Sequence, residues 1–269
     1  MNDIRDALFR EIQTKTFRAV LTTERSGVIS GVEEAAECAA RLGVQWTCSL
    51  EEGAALEAGE TVAEIAASPK QMALAEERLI GLLAKTSGIA TAARRAVETA
   101  AGRVKIVSGA WKKMPPQLKM AVRKAVAVGG AQVRISEAPM LYIDKNYIEM
   151  FGSVERALTA AAEWRQLKKV VQIKGKLDSI PSETRQALSG GGDVLMIDTG
   201  QISDLTACIE ELCRLGGRNQ VQVAFSGNVR IRDIPVMADL GVDILGIGKE
   251  IIDAQLLDMR LDVVEEIKP

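Results

Sequence analysis

Two rhythms of apolar residues divide this chain. Over residues 2–13, Ile4, Leu8, Phe9 and Ile12 recur at helical spacing, with Asn2 or Asp3 placed to cap the helix. Phe17–Thr22 reads as a strand, Arg25–Ser30 as a turn and second strand, and Val32–Arg41 as a helix that stops before Gly43. The alternation in Val44–Ser49 puts Val44, Trp46 and Cys48 on one strand face, and Val62–Ile65 is a further short strand. Ser68 and Pro69 then open a long helix through Leu83 as cap and first residue. Ser87–Gly88 reads as its interruption, with a further alanine-rich helix over 89–101.

Beyond residue 101 the pattern changes to short continuous Val/Ile/Leu runs separated by amphipathic stretches. The runs at 104–107, 140–143, 170–173, 194–197, 221–225 and 244–247 predict strands. Helices are expected near 115–127, 153–167, 181–189, 202–214 and 230–240. This βα rhythm predicts a parallel sheet covered by helices. Glycines at 190–192, 216–217 and 241 precede strands and read as helix ends, and neither GxGxxG nor GxxxxGK[ST] occurs. The strand ends carry a coherent polar set: Lys112–Lys113, Asp144–Lys145, Lys174, Asp198, Ser226–Gly227–Asn228 and Gly246–Gly248. That coherence favours a barrel over an open sheet, and six strands make it a smaller or incomplete one.

The stretch 105–147 concentrates the candidate chemistry. Two strands end in charged residues with a helix between them, and cations beside glycine loops suit an anionic ligand such as phosphate or carboxylate. The competing reading of any single lysine is ordinary solvated surface. A net charge of −2 over 269 residues and 3% aromatics argue against a general nucleic-acid binder. No apolar run approaches a membrane span and the N-terminus lacks a signal-peptide plan, so a cytoplasmic protein is expected. Cys38, Cys48, Cys208 and Cys213 show no CxxC spacing and read as mostly buried thiols. The chain has no histidine, which removes Ser-His and Cys-His pairs and histidine metal sites.

The motif order resembles the quinolinate phosphoribosyltransferase family, the carboxylating nicotinate-nucleotide pyrophosphorylases. AVLTTERSGVISGVEEA and EEGAALEAGETVAEI resemble its N-terminal sandwich, and EERLIGLLAKTSGIAT its SGIAT helix junction. Lys112–Lys113, GGAQVR, IDKNY, VQI, MIDTG and FSGN follow in the order of the family's later motifs. The resemblance implies an N-terminal α+β open sandwich and dimerisation domain over 1–101. An incomplete parallel α/β barrel of six or seven strands over 102–269 would follow, its C-terminal segment free to pack back on the first domain. The departures fall in the acceptor site. Lys112–Lys113 replaces Arg-Lys, Val133 a histidine before Arg134, Asp144–Lys145–Asn146–Tyr147 reverses Lys-Asp-Asn-His, and Gln172 stands for a glutamate. Glu77 falls where members reach across the dimer with an arginine, and Arg78 is beside it.

What the resemblance implies is phosphoribosyl transfer from phosphoribosyl pyrophosphate to a nitrogen heterocycle, with nicotinate mononucleotide formed if quinolinate is the acceptor. Lys112, Lys113 and Asp198 would be catalytic, the lysines neutralising pyrophosphate and Asp198 supporting the sugar or a Mg²⁺ ion. Arg134, Lys145, Asp144, Gln172 and Arg78 would line the acceptor and sugar side; Ser226, Gly227, Asn228, Gly246 and Gly248 would hold the 5′-phosphate. A homodimer or higher homo-oligomer is implied, with small anionic substrates and neither nucleic acid nor membrane as partner. The substitutions point to an altered acceptor. Two alternatives stay open: a non-catalytic relative that binds a phosphorylated metabolite, or the branch of the family linked to molybdenum transport.

Overall fold

The computed structural model describes residues 3–268. The chain divides into two compact units, one of Met1–Arg94, Met114–Gly130 and Ile251–Pro269, the other of Arg95–Lys113 and Ala131–Glu250. No helix among the described residues is long and apolar enough to cross a membrane.

The first unit opens with a short helix, α1 (Ile4–Leu8), capped by the Asp3 carboxylate on the Arg5 amide. The predicted 2–13 helix therefore stops early and continues as turns, while Asn2 lies outside the described residues. Strands β1 (Thr16–Thr23), β2 (Gly27–Val28), β3 (Gln45–Thr47), β4 (Ala55–Leu56) and β5 (Thr61–Ala67) follow, with helix α2 (Val32–Leu42) between β2 and β3. Glu52 takes the place of a side-chain cap on α2, accepting from the Gly31 and Val32 amides at 3.0 and 2.8 Å. The alternation of β1 buries Ala19, Leu21 and Thr23, and that of β5 buries Ala63, Ile65 and Ala67 with Val62. Their apolar face packs on Met72, Ala75, Leu79 and Leu83 of helix α3 (Pro69–Ala100).

Helix α3 is continuous over 32 residues, and the expected interruption at Ser87–Gly88 does not occur. Ser87 is fully buried, and its hydroxyl accepts from the Ser30 amide at 3.0 Å. Gly88 admits the Gln255 carbonyl, which an added Cβ would approach to 2.0 Å. The pair marks close packing against the helix, and a glycine's helix penalty of about 1 kcal/mol is small beside such tertiary contacts. Helix α4 (Lys119–Val128), preceded by a 3₁₀ turn at Pro116–Leu118, also belongs to this unit.

In the second unit the six expected strands are present as β6 (Lys105–Val107), β7 (Met140–Ile143), β8 (Lys168–Ile173), β9 (Val194–Ile197), β10 (Gln222–Ser226) and β11 (Ile244–Gly246). Their order is β6-β11-β10-β9-β8-β7 and every pairing is parallel, which makes an incomplete α/β barrel. Residue Gln132 adds a parallel bridge to Val107 beyond the edge of β6. The connecting helices are α5 (Lys145–Phe151), α6 (Val154–Ala160), α7 (Ile180–Ser189), α8 (Ile202–Arg214) and α9 (Ile234–Asp239). The helix expected at 153–167 ends at Ala160 as α6, and α5 has no counterpart among the expected helices. After β11 come α10 (Lys249–Ile252) and the last strand, β12 (Met259–Ile267). Strand β12 pairs antiparallel with β1 in the first unit, from Thr23↔Met259 to Thr16↔Ile267. No strand is expected there from the sequence pattern. Of the cysteines, Cys38 and Cys208 are buried, Cys48 is half-buried and Cys213 is exposed.

Candidate active site

All six strands of the second unit run the same way, so their C-terminal ends share one edge. The register turns that edge into a row. Ile197 of β9 lies opposite Ile173 of β8 and Phe225 of β10, so the next residues are Lys174, Asp198 and Ser226 side by side. Ser226 in turn pairs with Gly246, and Gly246 with Val107. Strand parity assigns these positions to one face. Below them, Val170, Val194, Ala224 and Ile244 form an apolar cluster with Ile135 and with Val107 of the row itself, and Tyr142 and Met196 pack against it. The same face that is apolar within the sheet becomes polar at its mouth.

Asp198 is the centre of that mouth. Its Oδ1 accepts from Ser226 Oγ at 2.6 Å and its Oδ2 from Gln172 Nε2 at 2.7 Å. Lys174 Nζ lies 3.3 Å from the same Oδ2 and also donates to the Asp198 carbonyl. Both ends of Gln172 are used, since its Oε1 accepts from the Lys145 amide at 2.7 Å. Gln172 is therefore a strut between β9 and the start of α5. The loop carrying Lys174 is fixed by the buried Glu183 carboxylate, which accepts from the amides of Lys174, Gly175 and Lys176 at 2.9, 2.9 and 3.2 Å.

Tyr142 closes one side of the mouth. Burial first, and then the negative charges of Asp198 and Asp144, push its hydroxyl up to about 12, so the phenol is protonated at neutral pH. Lys112 Nζ sits over its ring, 5.8 Å from the centroid. Lys112 and Lys113 end a 3₁₀ turn (Ala110–Lys113), and both are exposed. That turn is held from two directions. Trp111 Nε1 donates to the Val133 carbonyl at 3.0 Å, which ties it to the segment bearing the exposed Arg134. A Cβ on Gly248 would meet Ala110 at 3.2 Å.

Asp144 has a second employment. It is the N-cap of α5, accepting from the Asn146 and Tyr147 amides at 2.8 and 3.0 Å, which fixes a negative charge at the end of β7. The Lys145 side chain lines a small cleft with Gln172, Lys174, Lys176 and Leu177. Gly227, at φ 107°, turns against Gly200 so closely that a Cβ would stand 2.5 Å from the Gly200 nitrogen. Asn228 follows at φ 58°, a left-handed conformation that asparagine tolerates. Arg78 belongs to the first unit, exposed on α3 beside Glu77, which pairs with Arg5 at 2.6 Å.

The residues at 3–87 match the model of the quinolinate phosphoribosyl transferase N-terminal domain and those at 89–262 match that of its C-terminal domain. This chain belongs to the quinolinate phosphoribosyltransferase family. Among curated relatives it is 29% identical over 257 residues to a probable carboxylating nicotinate-nucleotide pyrophosphorylase of Archaeoglobus fulgidus, covering 94% of this chain and 97% of that one. The rat nicotinate-nucleotide pyrophosphorylase is 27% identical over 252 residues, covering 93% and 82%. Among solved structures, the nicotinate-nucleotide pyrophosphorylase of Pyrococcus furiosus superposes with a TM-score of 0.82 at 24% identity, covering 98% of this chain and 73% of that one. The Ehrlichia chaffeensis enzyme gives 0.80 at 21%, covering 96% and 92%.

Within the family frame, the second unit brings together Asp198, Gln172, Ser226, Gly246 and the Lys112 turn, and sets Asp144 and Lys145 beside them. Two members of the mouth were not singled out as site residues: Lys174, noted only as a strand end, and Tyr142. Strand parity was the available signal, since Tyr142 and Lys174 share the face of Gln172 and Asp198. A resident Mg²⁺ fits this donor set poorly. Asp198 is the one carboxylate at the centre of the row, its two oxygens already accept from Ser226, Gln172 and Lys174, and the third of these is itself a cation. Among the described residues three carboxylates converge at Glu33, Glu34 and Glu52, and there Lys124 Nζ lies 2.6, 3.1 and 3.3 Å from them.

Proposed function

We propose that this chain transfers phosphoribose from the magnesium salt of phosphoribosyl pyrophosphate to a nitrogen heterocycle, and that quinolinate is not its preferred acceptor. The observation that carries the reading is the row Lys174–Asp198–Ser226–Gly246 at the barrel mouth, with the Lys112 turn beside it, in a chain of this family. In the reaction the C1–O bond to pyrophosphate breaks, and its electron pair leaves on the pyrophosphate oxygen. The lone pair of the heterocycle nitrogen then forms the C1–N bond. Positive charge builds on the sugar and negative charge on the leaving group. Asp198, already oriented by its partners, stabilises the first, and the ammonium groups of Lys112 and Lys113 the second. Backbone amides of Gly227, Asn228 and Gly248 hold the 5′-phosphate, the Ile247 amide being given to the Val107 carbonyl, and Arg134 holds the acceptor. The setting is cytoplasmic biosynthesis of a nucleotide.

The acceptor reading rests on charge. Asp144 is held at the strand end by two amides of α5, so the repulsion it offers to a dicarboxylate is fixed in place. Incubation with phosphoribosyl pyrophosphate, Mg²⁺ and a heterocycle panel should release pyrophosphate with acceptors bearing one or no carboxylate. Quinolinate should be used at least about tenfold less well, the equivalent of about 1.4 kcal/mol. Asp144→Asn keeps a capping oxygen while removing the charge, so it should narrow that gap without loss of stability. Efficient turnover of quinolinate by the wild type would overturn the acceptor assignment. Tight binding of phosphoribosyl pyrophosphate with no turnover on any acceptor would point to the non-catalytic relative.

A homodimer or larger homo-oligomer is part of the same proposal. The apolar positions of α3 are largely buried in the chain's own core, among them Leu79, Leu83 and Ile89, and leave little surface for a second copy. Ile4 and Leu8 of α1, exposed at 79% and 72%, are better placed to meet a second copy. Sedimentation at micromolar concentration should give a dimer or larger species, and Ile4→Asp with Leu8→Asp should shift it toward monomer; a wild-type monomer would remove this part of the proposal.

A further inference from the structure

We infer that Lys174 is a built-in cation that takes the place of a protein-bound divalent metal at Asp198, so that this barrel mouth holds no resident ion and any Mg²⁺ arrives on the substrate. For its substrate the inference rests on the transferase reading; for its geometry it rests on Asp198 alone. The Lys174 ammonium lies 3.3 Å from Asp198 Oδ2 and bonds the carbonyl of the same residue, so it meets both oxygen-bearing groups that a cation there would use. This position is not the chance resting place of a free side chain. Lys174 is only 24% exposed, and the amides of residues 174–176 are all bound to the buried Glu183 carboxylate, which fixes the root of the side chain.

The neighbouring donor set agrees. A divalent ion at this edge needs carboxylate or carbonyl oxygens, and the side chain next to Asp198 on β8 is Gln172. Its amide presents nitrogen to Asp198 and turns its oxygen to the Lys145 amide. The amide nitrogen is a donor and cannot ligate a metal. Asp198 therefore receives a hydroxyl, an amide N–H and an ammonium, three donors suited to a carboxylate and not to a metal-bound one. The consequence for chemistry is that one positive charge at the sugar end of the site is covalently part of the protein. Lys174 acts as a positioning residue for Asp198, holding its orientation at every metal concentration.

The test uses Mn²⁺ as probe on the full chain without substrate, read by the loss of the free-ion paramagnetic resonance signal. The wild type should show no saturable site, and Gln172→Glu alone should show none because Lys174 still holds Asp198. Gln172→Glu combined with Lys174→Ala should gain one saturable Mn²⁺ site, with binding at least about tenfold tighter than in either parent, and Lys174→Arg in place of Lys174→Ala should abolish the gain. Three results would overturn the inference: a saturable wild-type site that Asp198→Asn removes, a Gln172→Glu variant that binds as well as the double variant, or a folded double variant that binds no ion. Should the double variant fail to fold by circular dichroism, the comparison of wild type with Asp198→Asn still decides. Calorimetry with phosphoribosyl pyrophosphate on the wild type, run beside these titrations, separates the two readings: absence of binding there sinks the transferase and leaves the Mn²⁺ result standing.

Discussion

Gly88→Ala should lower the unfolding free energy by about 3–5 kcal/mol, the upper range for single substitutions, although alanine is ordinarily about 1 kcal/mol better than glycine in a helix interior. The reason is a backbone that passes over α3 at this point. An added Cβ would stand 2.0 Å from the Gln255 carbonyl oxygen, 3.1 Å from its carbon and 3.3 Å from Leu256 Cα. These are main-chain atoms and cannot rotate away. The segment is also clamped on both sides of the contact, by the Leu257 amide on the Ala84 carbonyl and by Lys85 Nζ on the Ala254 carbonyl, each at 2.9 Å. Relief therefore requires shifting the stretch that leads into β12. Gly81, in the same helix with nothing within 4 Å of its virtual Cβ, is the control. Gly81→Ala should stabilise by several tenths to about 1 kcal/mol. Urea unfolding of both variants reads the result. A Gly88→Ala protein as stable as the wild type would mean that the 254–257 segment does not lie against α3.

Removing both ammonium groups of the 3₁₀ turn, Lys112→Ala with Lys113→Ala, should weaken phosphoribosyl pyrophosphate binding about a hundredfold or more. A hydrogen bond to a charged group contributes about 1.5–3 kcal/mol, and each 1.4 kcal/mol is tenfold in affinity. The turn can deliver that energy because it is held before the ligand arrives. Trp111 ties it to the Val133 carbonyl, Gly248 packs on Ala110, and Lys112 rests over the Tyr142 ring. Lys168→Ala, at the opposite end of β8 and exposed, should leave affinity within about twofold, the range of screened surface charges. Calorimetric titration of the two proteins makes the comparison. Equal affinities would make Lys112–Lys113 an ordinary solvated pair and take away the main support for pyrophosphate binding.

Much of this protein is decided by sequence alone. The six barrel strands and helix α8 fall where the local pattern puts them, because a run of buried β-branched residues and a stripe at helical spacing are properties of ten or so neighbouring residues. Parity along a strand is equally local. It aligns Tyr142 with Asp144, Gln172 with Lys174 and Met196 with Asp198, so the polar end of an apolar face is legible before any fold is known. Only tertiary structure decided the rest, and in each case the deciding partner is far away in the chain. Ser87–Gly88 has the local character of a helix break, but Ser30 and Gln255 turn it into a packing point. The nine residues of β12 leave all but Met259 and Leu261 exposed; the alternation of Met259, Leu261 and Val263 is too short to announce a nine-residue strand, and pairing with residues 16–23 creates it. Lys174 looks like any lysine at a strand end until the register places it opposite Asp198 and Glu183 fixes its loop. A residue's type and period are local quantities, whereas the direction of a long charged side chain is set by what the rest of the fold leaves for it to bond.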